Sequence, residues 1–215
     1  MSLLQDEDRK QVQQIFAGLS NPVKLVMFTQ EFECRFCTQT RELVEEVDSL
    51  SDTITAEVYN LALDKEKSKE YGIEKIPAVA VVGDKDYGIR FYGIPSGYEF
   101  SSFLESIMNV SAQDSGLSET TSSFLASLKA PLHMQVFVTP TCPYCPRAVS
   151  LAHKMALESD LVTADMVEAT EFPQLAIKYR VQGVPRTVVN ETMHFEGALP
   201  EGRLVAELKK KLAAA

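Results

Sequence analysis

The chain has 215 residues, 45% of them hydrophobic and 24% charged, with four cysteines, no tryptophan and a formal net charge of −9. That length suits two units of about 100 residues, each large enough for its own core. The acidic balance and scattered basic residues argue against a nucleic-acid partner. The lack of any apolar run of roughly 18 residues argues against a helical membrane span.

Residues 1–8 carry neither a basic segment nor a long apolar run, so the expectation is a cytoplasmic chain without a secretory signal. Val12, Ile15, Phe16 and Leu19 recur at helical spacing and predict a helix over 4–19, which Asn21-Pro22 breaks. A buried strand over 24–29 then runs into Cys34-Arg35-Phe36-Cys37, and Leu43, Val44, Val47 and Leu50 mark one face of the helix that follows. A second strand is expected over 53–61 and a polar helix over 64–71, with Asp64 as its N-cap. A buried strand over 78–82 follows, then a turn at 83–86, an edge strand over 88–92 and a closing helix over 97–108.

Residues 111–123 are rich in Ser, Thr, Asp and Gly and mark the boundary between a unit at 1–112 and a unit at 113–215. Ser118 is placed to cap a helix running to about residue 128. The order then repeats. A strand is expected at 134–139. A helix at 143–157 should face Ala148, Leu151, Ala152 and Met155 inward. After it come a strand at 162–167, a helix at 171–179, a hairpin of 186–189 with 192–195, and a helix at 200–212.

The repeat is in register. Cys34 precedes Pro77 by 43 positions, and Cys142 precedes Pro185 by the same 43. Thr55-Ala56-Glu57 matches Thr163-Ala164-Asp165, and the segment from Tyr71 to Pro77 aligns without gaps with that from Tyr179 to Pro185. Two sulfurs one helical turn apart form a dithiol able to close into a disulfide. At a helix start the first sulfur also lies near unpaired N–H groups that favour a thiolate. Four cysteines shared between two pairs 108 residues apart do not match the roughly 15–20-residue spacing of common zinc ribbons. None of His133, His153 and His194 recurs at an equivalent position, so all three are read as surface or packing residues rather than metal ligands.

A strand–helix–strand unit feeding a hairpin, with Cys-x-x-Cys after the first strand and Ile76-Pro77 or Val184-Pro185 opening the third, resembles the thioredoxin fold. Cys142-Pro143-Tyr144-Cys145 is similar to the glutaredoxin signature. Two such units in one chain resemble the glutaredoxin-like protein disulfide oxidoreductases, relatives of protein disulfide isomerase. The resemblance implies an α/β fold of two tandem thioredoxin-fold units, each a central mixed four-stranded sheet flanked by helices. It implies Cys34 and Cys142 as nucleophiles and Cys37 and Cys145 as resolving thiols. It implies cis bonds before Pro77 and Pro185, with Ile76 and Val184 offering a backbone edge to a substrate peptide. Glu57 and Asp165 are the expected buried proton shuttles, with Glu168 a competitor whose counterpart is Asn60.

The same resemblance implies protein disulfide substrates and no cofactor or metal beyond the redox-active disulfides. Gly93-Ile94-Pro95 and Gly197-Ala198 stand where glutaredoxins hold glutathione with Gly-Gly, so a thioredoxin reductase-like flavoprotein is the implied electron donor. Two other readings compete with the enzyme. One is an electron-relay domain that reduces a peroxiredoxin; the other is a peptide-binding or chaperone module without catalysis.

Overall fold

The computed structural model describes residues 3–213; the outermost residues of the two expected units, 1–2 and 214–215, lie outside them. The first half is α1 (Asp6–Phe16), β1 (Val23–Thr29), α2 (Cys37–Asp48), β2 (Ile54–Asn60), α3 (Lys65–Glu70), β3 (Ala78–Val82), β4 (Asp86–Tyr92) and α4 (Glu99–Ala112). The second half is α5 (Glu119–Ala126), β5 (Leu132–Val138), α6 (Cys145–Glu158), β6 (Val162–Glu168), α7 (Pro173–Lys178), β7 (Arg186–Val189), β8 (Met193–Glu196) and α8 (Glu201–Leu212). The mixed α/β fold and the repeated element order match the expectation.

Local chemistry accounts for most boundaries. Asp6, Glu7 and Asp8 fill the first turn of α1, where the helix dipole favours negative charge. Ser118 caps α5 by accepting the Thr121 N–H at 3.3 Å. Asp64 precedes α3, but its carboxylate accepts the Asn60 N–H at 2.7 Å and makes no cap bond to the helix. It therefore closes the turn behind it. The β-branched residues of β1 and β3 are almost all buried, as strands covered on both faces require.

The expected edge at β4 fails. The strand ending at Tyr92 is not an edge. β4 pairs in parallel with β6, and this joins the two halves into one eight-stranded sheet of order β2-β1-β3-β4-β6-β5-β7-β8. A strand following a hairpin reads locally as an edge, whereas its outer partner lies some 75 residues further along the chain: Ile89 registers with Ala164 and Tyr92 with Val167.

The core has two layers. On one face, α2, α4, α6 and α8 bury Val44, Phe103, Val149, Met155 and Leu208 over Leu25, Met27, Val79, Phe91 and Met134. On the other face, the segments of α3 and α7 cover Val26, Phe28, Ala80 and Phe137 with Tyr71, Ile73, Phe172 and Tyr179. Ties beyond the seam also lock the halves together, among them Glu105 paired with Lys154 at 2.7 Å and Ser106 Oγ 2.9 Å from His153 Nδ1. Burial holds His153 well below its usual range, at about 4, so it packs as a neutral ring.

Candidate active sites

Both cysteine pairs sit at the same end of the sheet. β1, β4, β5 and β6 run parallel to one another, while β3 and β7 run antiparallel to them. The C-terminal ends of β1 and β5, which lead to the cysteines, therefore meet the N-terminal ends of β3 and β7, which the prolines open. Cys34 and Cys37 form a disulfide with Cα atoms 5.4 Å apart, and Cys142 and Cys145 one at 5.5 Å. Ile76-Pro77 and Val184-Pro185 are the cis peptide bonds of the described residues. Behind each proline the backbone is held alike: Gly93 N–H donates to Pro77 O at 3.0 Å, and Gly197 N–H to Pro185 O at 2.8 Å.

The surroundings of the two pairs differ. α2 begins at Cys37, which is buried, while Cys34 is half-buried beside Phe32, a ring 79% exposed. Glu31 and Glu33 flank it on the exposed side, and the Arg35 guanidinium stacks on Phe36 at 5.2 Å. Cys142 and Cys145 are both buried and belong to the main apolar core, with Tyr144 63% exposed between them. α6 begins at Cys145 with Pro146 in its first turn. Pro143, expected to open that helix, lies in the turn before it; Pro146 takes the position where a missing N–H goes unneeded.

The structure does not bring Glu57 or Asp165 to the sulfurs. On β2, Ala56 and Val58 face the core beneath α2, so Glu57 points to the opposite face with Tyr59. There it pairs with Lys24 at 2.7 Å and accepts the Tyr59 hydroxyl at 2.9 Å. The Lys24 hydrogen bond holds its carboxyl below the usual range. On β6, Ala164 and Met166 face α6, and Asp165 turns away to His133 Nε2 at 2.7 Å. The shuttle reading of both residues is corrected: they lie across the sheet from the helices that carry the cysteines. Glu168 and Asn60 are equivalent in space as well as in sequence. Each closes the turn after its strand, Glu168 by accepting the N–H groups of Thr170 and Glu171, Asn60 by accepting those of Ala62 and Leu63.

Two other carboxylates are desolvated where the two units meet. Glu99, in the first turn of α4, is 1% exposed, and burial pushes it up to about 7. Its Oε2 accepts the Ser102 hydroxyl at 2.6 Å, while Oε1 is buried with no hydrogen-bond partner. α4 and α6 lie side by side and parallel: residues just ahead of the two helices meet each other, and further along Glu105 and Ser106 of the one meet Lys154 and His153 of the other. At their starts Tyr98 N–H donates to Pro140 O at 3.0 Å. Glu99 thus stands level with the first turn of α6, which Cys145 opens. Glu171, after β6, is likewise pushed up to about 7 by burial, and its Oε1 accepts Ile94 N–H at 2.8 Å.

Fold and sites together define a protein with two dithiol–disulfide centres on one tandem scaffold. A sequence model of the thioredoxin domain matches residues 132–210. A thioredoxin of Methanocaldococcus jannaschii is 35% identical over 80 residues, which are 37% of this chain and 94% of that protein. The chain belongs to the thioredoxin family. A protein disulfide oxidoreductase from Aeropyrum pernix superposes with a TM-score of 0.90 at 32% identity, covering 95% of this chain and 92% of that one. The NTD_N/C domain of alkylhydroperoxide reductase AhpF from Enterococcus faecalis superposes at 0.88 with 27% identity, covering 95% and 99%. The chain spans only 30% of the length of a Ferdinandcohnia aciditolerans NADH dehydrogenase, to which it is 23% identical over 166 residues.

Proposed function

We propose that the chain is a cytoplasmic protein thiol–disulfide oxidoreductase with two active dithiols, one in each unit, 1–112 and 113–215. The observation that carries this is the pairing, twice at one end of the sheet, of a Cys-x-x-Cys disulfide at a helix start with an Ile/Val-cis-Pro strand opening. The likeness to the Aeropyrum oxidoreductase over nearly the whole chain supports it. Protein disulfides are the substrates, and a thioredoxin reductase-like flavoprotein is the electron donor.

In the reducing direction the Cys142 thiolate attacks one sulfur of a substrate disulfide. A mixed disulfide forms and the other substrate sulfur leaves as a thiolate. Cys145 gives up its proton and attacks Cys142, closing the disulfide and releasing the second substrate thiol. Glu99, poised near neutrality with one free oxygen, is the acceptor for the Cys145 proton. Cys34 and Cys37 run the same steps. Ile76-Pro77 and Val184-Pro185 offer the backbone edge along which the substrate peptide lies.

The second, glutaredoxin-like pair is the more active. The acidic Glu31 and Glu33 precede Cys34 and oppose its thiolate, whereas Thr139, Pro140 and Thr141 precede Cys142. The test is insulin reduction. Cys142→Ser should abolish most of the activity, Cys34→Ser should leave a substantial fraction, and the double variant should be inactive. A double variant with wild-type turnover would overturn the assignment. The likeness to AhpF favours one second reading, an electron-relay segment of a larger hydroperoxide reductase. Fast reduction of a peroxiredoxin with negligible insulin reduction would select it.

A further inference from the structure

We infer that Glu171, a residue of the second unit, positions the substrate edge of the first. This rests on the oxidoreductase reading and adds a residue to it. The path is short. Glu171 Oε1 accepts the Ile94 N–H at 2.8 Å, and the adjacent Gly93 N–H donates to Pro77 O at 3.0 Å. The carboxylate is itself fixed from behind. Glu168 accepts the Glu171 N–H at 2.7 Å and the Thr170 hydroxyl at 2.6 Å, which ties the turn after β6 into one piece. Tyr92 and Phe172 meet edge-on with centroids 6.2 Å apart and close the same contact from the opposite face of the sheet.

Gly93 shows how tight the fit is. Its φ is +94°, and an added Cβ would come within 2.6 Å of Glu168 Cβ and 2.9 Å of Glu171 Oε1. The second unit offers the control. Gly197 holds Pro185 by the same bond, yet an added Cβ there would meet nothing within 4 Å. The position that matches Glu171 in the repeat is Leu63, an exposed side chain 81% accessible. The clamp is therefore one-way: the second unit grips the first unit's proline turn and leaves its own turn open. A seam needs no carboxylate for this. Glu171 keeps a buried Oε2 without a hydrogen-bond partner, with Glu168 close by, a costly arrangement for packing alone.

A cis-proline edge that must be presented to a peptide governs how well substrate is held, so losing the clamp should appear in KM at the first site. In a Cys142→Ser/Cys145→Ser background, Glu171→Ala should raise KM for insulin several-fold with kcat little changed. Glu171→Gln, which keeps an acceptor oxygen for Ile94 N–H, should restore it. In a Cys34→Ser/Cys37→Ser background the same alanine should leave KM unchanged, although it lies in the unit under test. An equal effect in both backgrounds, or none at the first site, overturns the inference. Loss of insulin reduction in both parent backgrounds would instead overturn the oxidoreductase reading. Hydrogen exchange then decides the clamp alone: Glu171→Ala should speed exchange of the Gly93 and Ile94 amides and Glu171→Gln should not, and unchanged exchange in the alanine variant refutes it.

Discussion

Replacing Glu99 with glutamine keeps the shape of the side chain and removes its charge, and the effect on stability should depend on pH. In the folded chain the carboxyl titrates at about 7, against 4.5 for an ordinary glutamate, because burial disfavours the anion. The folded state thus holds a proton that the unfolded state has already lost across that window. Stability due to this group is full below about pH 4.5, declines as pH rises, and is lost above about 7. At 1.36 kcal/mol per pH unit the loss is roughly 3 kcal/mol. For a chain of this size that corresponds to about 10 °C in Tm. Glu171 titrates in the same window, so the comparison must be between two chains that differ only at position 99. Urea unfolding of the oxidised proteins at pH 5 and pH 8.5 reads it directly. The Glu99→Gln chain should gain about 3 kcal/mol on the wild type between those two pH values. The variant should also close the Cys142–Cys145 disulfide more slowly, by about 100-fold, the lower end of what a positioned base contributes. A stability difference that does not change with pH would refute the argument from burial. An unchanged rate would refute the assignment of Glu99 to Cys145.

Thiol titration with the denatured chain should find essentially no free thiol in the oxidised protein and four after reduction, since all four cysteines are paired; a persistent thiol would argue against two working pairs. Gly97→Ala should destabilise the join between the units by about 2 kcal/mol or more, because its φ is +61° and a Cβ would lie 2.3 Å from Pro140 O, a backbone atom that cannot rotate away. Gly72→Ala, at φ +64° with nothing within 4 Å, should cost only about 1 kcal/mol for the left-handed backbone, and thermal melts of the pair separate the two effects.

The sequence was most readable where spacing alone carries the information. The 43-position interval from cysteine to proline recurs and lands each proline at the opening of the third strand of its unit. It was least readable where the outcome depends on a distant neighbour. Nothing near Gly88 or Tyr92 announces β6 as a partner. Nothing in Thr-Ala-Glu or Thr-Ala-Asp chooses a face of the sheet, and the face taken points away from the cysteines. Glu99 did leave a trace, for it lies on the stripe of Phe103, Ser106, Ile107 and Val110 that α4 buries. An acidic residue on the inward stripe of a helix is the signal to look for. Glu171 left none, because its role exists only once two strands some 75 residues apart lie side by side.

The seam between the units is head-to-tail. It joins the last strand of the first sheet, β4, to β6, which is the counterpart of β2 in the second. The molecule therefore ends in the same two kinds of edge that it joins internally, a β2 edge on one side and a β8 edge on the other. Such an interface has no two-fold axis that closes it, and repeated from molecule to molecule it would keep extending the sheet. The chain blunts both ends. β8 has four residues where β4 has seven, and its Glu196 is engaged by Arg186. On the far side, Glu57 of β2 is paired with Lys24 of the neighbouring β1, so an arriving strand would have to strip water from a charged pair. Duplication thus turned an open-ended contact into an internal one, and the outer strands mark where its propagation stops.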